Sequence, residues 1–264
     1  MKLPIYQLDA FTSEVFAGNP AAVCPLDAWL DDVTLQSIGS ENNLSETAFF
    51  VADPDGKADF RLRWFTPVVE ARLCGHATLA SAHVIFRELE PGRESVVFDT
   101  LSGLLTVTAD GERLVMDFPA RVPRPVDPHP ALLPALGGEP EAVLATEWDY
   151  MVVFRDASAV RGLQPNIPAL AGLDRNRIIV TAPGDNGFDC VLRFFAPANG
   201  VAEDPVTGSA HCTIIPYWAQ RLGRPVLRSY QASARGGVLD CALVEDRVKI
   251  AGQCALYMEG TINV

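Results

Sequence analysis

Lysine is nearly missing from this sequence: Lys2, Lys57 and Lys249 lie at the terminus, in a turn and in an alternating strand. None sits where a pyridoxal-phosphate Schiff base needs its amine. Basic side chains number 21 against 33 acidic ones, a net charge of −12 at pH 7. That balance argues against gripping a phosphate backbone, so no nucleic-acid partner is expected. No uncharged run reaches the length of a membrane span, and the start lacks a basic segment followed by a long apolar run. Neither a membrane partner nor a signal peptide is expected. The cysteines at 24, 74, 190, 212, 241 and 254 show no C-x-x-C spacing, which favours reduced core residues and a cytoplasmic location. Also missing are G-x-G-x-x-G, G-x-x-x-x-G-K-[ST], the G-x-S-x-G elbow and any zinc spacing. His76 and His83 are two helical turns apart, roughly 10 Å along the axis, too far to share one ion. No cofactor and no metal are expected.

What is present is a stretch written twice. Glu70-Ala71-Arg72-Leu73-Cys74-Gly75-His76-Ala77-Thr78 follows an apolar run that reads as a strand and precedes one that reads as a helix. Glu203-Asp204-Pro205-Val206-Thr207-Gly208-Ser209-Ala210-His211 has the same setting. Pro67 and Pro197 are 130 positions apart, as are Asp59 and Asp189; Gly75 and Gly208 are 133 apart. A nearly constant spacing over more than forty positions points to a duplicated domain, and in such pairs the active site commonly lies at the interface. A strand that ends in a glycine turn and opens a helix delivers free N–H groups to one point, which favours an anion.

The apolar fraction of 48% suits a globular chain able to bury two cores. Strands are expected over residues 3–11, 21–24 and 47–51, and an amphipathic helix over residues 26–38. The helix from Ala77 to Leu89 is apolar nearly all round, so strands have to wrap it. Seven prolines between Pro119 and Pro140 mark a semi-rigid connection. The boundaries expected are an N-terminal domain 1–118, a linker 119–140 and a C-terminal domain 141–264, with the last strand free to return to the first domain. A second helix runs from Ala210 to Leu222 with Pro216 in its interior, where a kink or a late start is expected.

His76 and Ser209 occupy matched positions after the turn glycine. Each can donate to a substrate oxygen or shuttle a proton, and the match lifts both above plain capping. Cys74 at a helix start could be a reactive thiol, but its counterpart is Thr207, and a small buried apolar role is favoured. Asp204 has no acidic counterpart and reads equally as turn chemistry or as a proton donor. Glu70 and Glu203 are matched and read as structural. Glu46, on composition alone, reads as a solvated strand-end charge.

Taken together, Gly18-Asn19-Pro20-Ala21-Ala22-Val23, Asn43-Leu44-Ser45-Glu46-Thr47-Ala48-Phe49, Leu73-Cys74-Gly75-His76-Ala77-Thr78 and Glu203-Asp204-Pro205-Val206-Thr207-Gly208-Ser209-Ala210 resemble the PhzF family, phenazine-biosynthesis-like proteins related to diaminopimelate epimerase. The resemblance implies an α+β fold of two similar domains, each a barrel-like, mostly antiparallel sheet around a central helix, with the site in the cleft between them. It implies a homodimer and cofactor-independent isomerisation or epimerisation of a small carboxylate-bearing molecule. The catalytic base falls on Glu46, against the reading from composition, with His76, Asp204 and Ser209 as catalytic partners. Asn19, Cys74, Gly75, Thr207 and Gly208 fall at substrate-binding positions. The racemising relatives use two cysteines, and Thr207 removes one. The alternatives are a non-catalytic small-molecule binding protein and an amino-acid racemase using Cys74.

Overall fold

The computed structural model describes all 264 residues, in two compact units: Met1–Asp117 with Ala251–Val264, and Phe118–Ile250. In unit 1, β1 (Lys2–Ala10) pairs antiparallel with β2 (Asn19–Pro25), and β2 runs parallel to β3 (Glu46–Ala52). Next, β3 pairs antiparallel with β4 (Phe60–Phe65), which carries the short β5 (Glu70–Ala71) and runs parallel to β6 (Ser95–Thr100). The antiparallel β7 (Gly103–Asp110) and β8 (Arg113–Pro119) complete the run.

Unit 2 repeats that order of pairings. After β9 (Arg124–Pro125), the strands β10 (Ala142–Ala145) and β11 (Asp149–Val153) are antiparallel, and β11 is parallel to β12 (Arg177–Pro183). Then β12 is antiparallel to β13 (Cys190–Phe195), β13 is parallel to β14 (Val226–Gln231), and β14 is antiparallel to β15 (Gly237–Val244), followed by β16 (Arg247–Gly252). The final strand, β17 (Cys254–Asn263), pairs antiparallel with β1. The repeat reaches single bonds. The Asp59 amide donates to the Val97 carbonyl at 2.9 Å and its carboxylate accepts the Val97 N–H at 2.7 Å; Asp189 does the same with Arg228, both at 2.7 Å. Glu70 forks onto Arg63 at 2.7 and 2.8 Å, and Glu203 onto Arg193 at 2.7 and 2.9 Å. These two glutamates hold the duplicated turns, as their matching suggests.

The helix expected over 26–38 is displaced: α1 spans Asp32–Asn42. Asp31 caps it by accepting the Thr34 amide at 3.0 Å, and β2 consumes the residues up to Pro25. A side-chain cap fixes a helix start more firmly than loose apolar spacing does. Leu35 and Ile38 pack against Ala22, Cys24, Phe49 and Val51. Because strand side chains alternate faces, Glu46 shares the opposite face with Ala48 and Phe50, the side of α2 (Gly75–Val84). Helix α2 is buried from His76 to Ala82 and closes in a wider π turn, Ile85–Leu89.

In unit 2, α3 (Leu132–Leu136), α4 (Ala157–Gly162) and α5 (Ile167–Leu170) pack on Ile178, Val180 and Ala182. The proline-rich stretch therefore belongs to a core: Leu132, Ala135 and Leu136 are buried in it. Its prolines space short elements that bury leucines, which composition alone reads as a spacer. The central helix α6 (Gly208–Leu222) runs through Pro216. Proline has no N–H for the carbonyl four residues back, and the Arg121 amide takes that Cys212 oxygen at 2.8 Å. The helix starts at Gly208, so the late start does not occur.

Candidate active site

Three element starts converge in unit 1. Asn19 opens β2, Glu46 opens β3 beside it in register with Ala21, and His76 is the second residue of α2. Glu46 Oε2 lies 3.2 Å from His76 Nε2, with side-chain exposures of 17% and 6%. The Asn19 amide nitrogen is 3.2 Å from His76 Nδ1, and Cys74 Sγ is 3.5 Å from the same nitrogen. Asn19 and Cys74 thus meet one ring nitrogen of His76 and Glu46 faces the other. Burial pushes the His76 pKa down to about 3, against the Pro20 carbonyl, which raises it. The imidazole is therefore neutral at neutral pH. The Cys74 side chain makes no capping bond to the first-turn amides of α2, which leaves them for a ligand.

The donor atoms of Glu46, Cys74 and His76 lie within 4.8 Å of one another. Cys74 and Glu46 nevertheless face opposite ring nitrogens, so His76 cannot present one lone pair to an ion shared by both. The carboxylate and the thiol flank the ring on its two sides.

In unit 2 the matched turn holds Asp204, Thr207, Gly208 and Ser209. Thr207 donates from Oγ1 to Asp204 Oδ2 at 2.5 Å. Gln231, fully buried on β14, accepts the Thr207 amide at 2.7 Å and donates to the Asp204 carbonyl at 2.7 Å. The Thr207 side chain makes no capping bond to the first-turn amides of α6. Ser209 Oγ accepts from Arg177 Nη2 at 3.0 Å, and Arg177 Nε meets the buried Asp149 Oδ1 at 2.7 Å. Sequence reasoning missed Gln231, Arg177 and Asp149. The repeat held the signal for Arg177: it stands 131 positions after Glu46, within the spacing that the turns obey.

Residues 8–260 match the family described as phenazine biosynthesis-like protein, PhzC-PhzF. An uncharacterised isomerase of Pseudomonas aeruginosa is 52% identical with all of both chains covered. A crystal structure of a PhzF-family phenazine biosynthesis protein of Enterococcus faecalis superposes with a TM-score of 0.95 at 43% identity, again over all of both chains. A hydroxyproline epimerase of Agrobacterium vitis shares the fold alone, with a TM-score of 0.63 at 10% identity over 99% of this chain and 92% of that one. Fold and relatives define an isomerase built on the epimerase-like plan. Within that class the chain belongs to the PhzC-PhzF family of phenazine biosynthesis-like proteins.

Proposed function

We propose that the protein is a cofactor-independent isomerase of a small carboxylate-bearing molecule, with Glu46 as the base that takes a proton from carbon and returns one to carbon. The observation carrying this reading is Glu46 Oε2 at 3.2 Å from the Nε2 of a buried, neutral His76. A neutral imidazole orients a carboxylate without cancelling its charge, which leaves it basic. The first amides of α2 are uncapped donors, suited to the negative charge that develops on the substrate as the proton leaves. The C–H electrons become an enolate-like pair. Protonation at another carbon gives an isomer, and protonation at the opposite face of the same carbon gives an epimer. Neither needs an electron acceptor.

Asp204 and Ser209 are the second pair of proton-handling groups in this reading. Their part is measured by Asp204→Asn and Ser209→Ala in the same assay. Racemisation through Cys74 is the rival favoured by one contact, its Sγ at 3.5 Å from His76 Nδ1, but Thr207 offers no second thiol. The test is turnover by Glu46→Gln across amino acids, cyclic dienoic acids and keto acids. A general base contributes ~10²–10⁴-fold; a loss of that size with an unchanged urea unfolding curve is expected. Retained turnover refutes the assignment, and no turnover of any acid by the wild-type protein favours a binding protein.

A further inference from the structure

The duplication sets a cation where unit 1 carries its acid. Glu46 opens β3 and Arg177 opens β12; in the parallel pairings Ala21 faces Glu46 and Asp149 faces Arg177. Ile178, Val180 and Ala182 point to the outer helices, so alternation turns Arg177 to the opposite face. On that face Thr181 accepts from Trp218 of α6 at 3.0 Å. Glu46 reaches the second residue of its central helix at 3.2 Å, and Arg177 reaches the second residue of its own, Ser209, at 3.0 Å.

Arg177 is anchored on one side. Asp149 is fully buried; its Oδ2 accepts from Thr146 at 3.0 Å and Thr213 at 3.2 Å, and its Oδ1 lies 2.7 Å from Arg177 Nε as an ion pair. A second guanidinium lies near enough to repel it: burial and Arg121 both lower the Arg177 pKa, opposed by Asp149, Cys212 and Asp204. Pro216 brings that arginine there. It frees the Cys212 carbonyl, which holds the Arg121 backbone at 2.8 Å. The Arg121 head lies 4.6 Å from the Trp148 ring centroid, and its Nη1 is enclosed without a hydrogen-bond partner. Arg177 is ion-paired to one buried carboxylate while Arg121 holds an enclosed donor with no hydrogen-bond partner, an unbalanced pair of cations in a chain of net charge −12. Of the nearby acids, Asp204 is already engaged by Thr207.

We propose that Arg177, Arg121 and Ser209 form an oxyanion subsite of unit 2 that takes an acid group of the substrate, a carboxylate or a phosphate. The assignment of that group to the substrate rests on the isomerase reading above. A guanidinium fork matches either oxyanion by two parallel N–H bonds. In this arrangement the first half of the duplication abstracts the proton, and the second half reads the charge.

The test is calorimetric titration of the full chain with malonate and with inorganic phosphate. Arg121→Gln leaves no carboxylate orphaned, and Arg177→Lys keeps a cation beside Asp149 while removing the fork. Each variant is expected to weaken binding at least tenfold, about 1.4 kcal/mol. Preference for malonate assigns a carboxylate, and preference for phosphate assigns a phosphoryl group. Equal affinity in wild type and variants, or no binding of either probe by the wild type, overturns the subsite. Because binding is read without turnover, activity that survives Glu46→Gln strikes the base and not the subsite. Unaltered probe affinity in Arg121→Gln and Arg177→Lys strikes the subsite alone.

Discussion

Lowering the pH from 6.5 to 4 is expected to destabilise both units through one buried histidine each. His76 is 5% exposed and His211 is not exposed at all. The neutral ring of His211 is fully used, with Nδ1 donating to the Thr207 carbonyl at 2.9 Å and Nε2 accepting from Ser229 at 3.0 Å. Burial lowers the His76 pKa to about 3 and the His211 pKa to about 4. Below pH 6.5 the unfolded chain binds a proton at each site and the folded chain does not. Stability is therefore complete above about pH 6.5 and falls by about 1.4 kcal/mol per histidine per pH unit. By pH 4 each unit loses roughly 3 kcal/mol, a large share of the ~5–15 kcal/mol that holds a domain together. His83, lowered by burial and Arg87, acts in the same direction in unit 1. The carboxylates held below their ordinary value, Asp31, Asp53, Asp156 and Asp185, lose their contribution only as pH falls below about 4. The window above pH 4 thus belongs to histidine. Urea midpoints at stepped pH read the slope, with Trp64 reporting unit 1 and Trp218 unit 2, each 1% exposed or less. His211→Gln is expected to cost about 1–3 kcal/mol at pH 7 and to remove the unit 2 slope. A midpoint unchanged between pH 6.5 and 4.5, or a full slope in the His211→Gln variant, refutes the reasoning.

Gln231→Leu strips three hydrogen bonds from the Asp204–Thr207 turn; thermal melts should show a loss of about 1–3 kcal/mol, and KM should rise more than kcat falls. Gly252→Ala sets a Cβ 2.4 Å from Phe11 Cδ1, and chemical denaturation should show an overpacking cost of about 1–3 kcal/mol. Cys74→Ser is expected to keep proton exchange at carbon within tenfold of wild type; abolished exchange would restore the thiol racemase. The homodimer that the family resemblance implies predicts twice the chain mass in sedimentation velocity, and a monomer at all concentrations discards it.

Much of the fold was legible because the chain states it twice. The constant spacing of Asp59, Pro67 and Gly75 from Asp189, Pro197 and Gly208 marks equal strand–turn–helix units, and the all-apolar run after His76 marks a buried helix. The start of α1 was misread because Leu26, Leu30 and Val33 happen to fall near helical spacing while the Asp31 cap outweighs them. The proline-rich stretch looked like a spacer because composition does not show that Leu132 and Leu136 face a core. At the site, Glu46 was visible only through the family resemblance: a carboxylate at a strand start looks solvated until the strand's alternation turns it toward α2. Arg177 was hidden for a different reason. The duplication keeps its position and reverses its charge, and a search for matching residue types passes over such a pair. Pro216 was noticed as a defect, whereas its effect is to free the carbonyl that anchors Arg121.

The central claim is proton transfer at carbon by Glu46, and deuterium wash-in tests it most directly. The wild-type protein and Glu46→Gln are incubated in D2O with each candidate acid, and the carbon-bound hydrogens are followed by NMR. The account predicts deuterium at carbon with the wild-type protein and none above background with the variant. Equal incorporation by both proteins would contradict it.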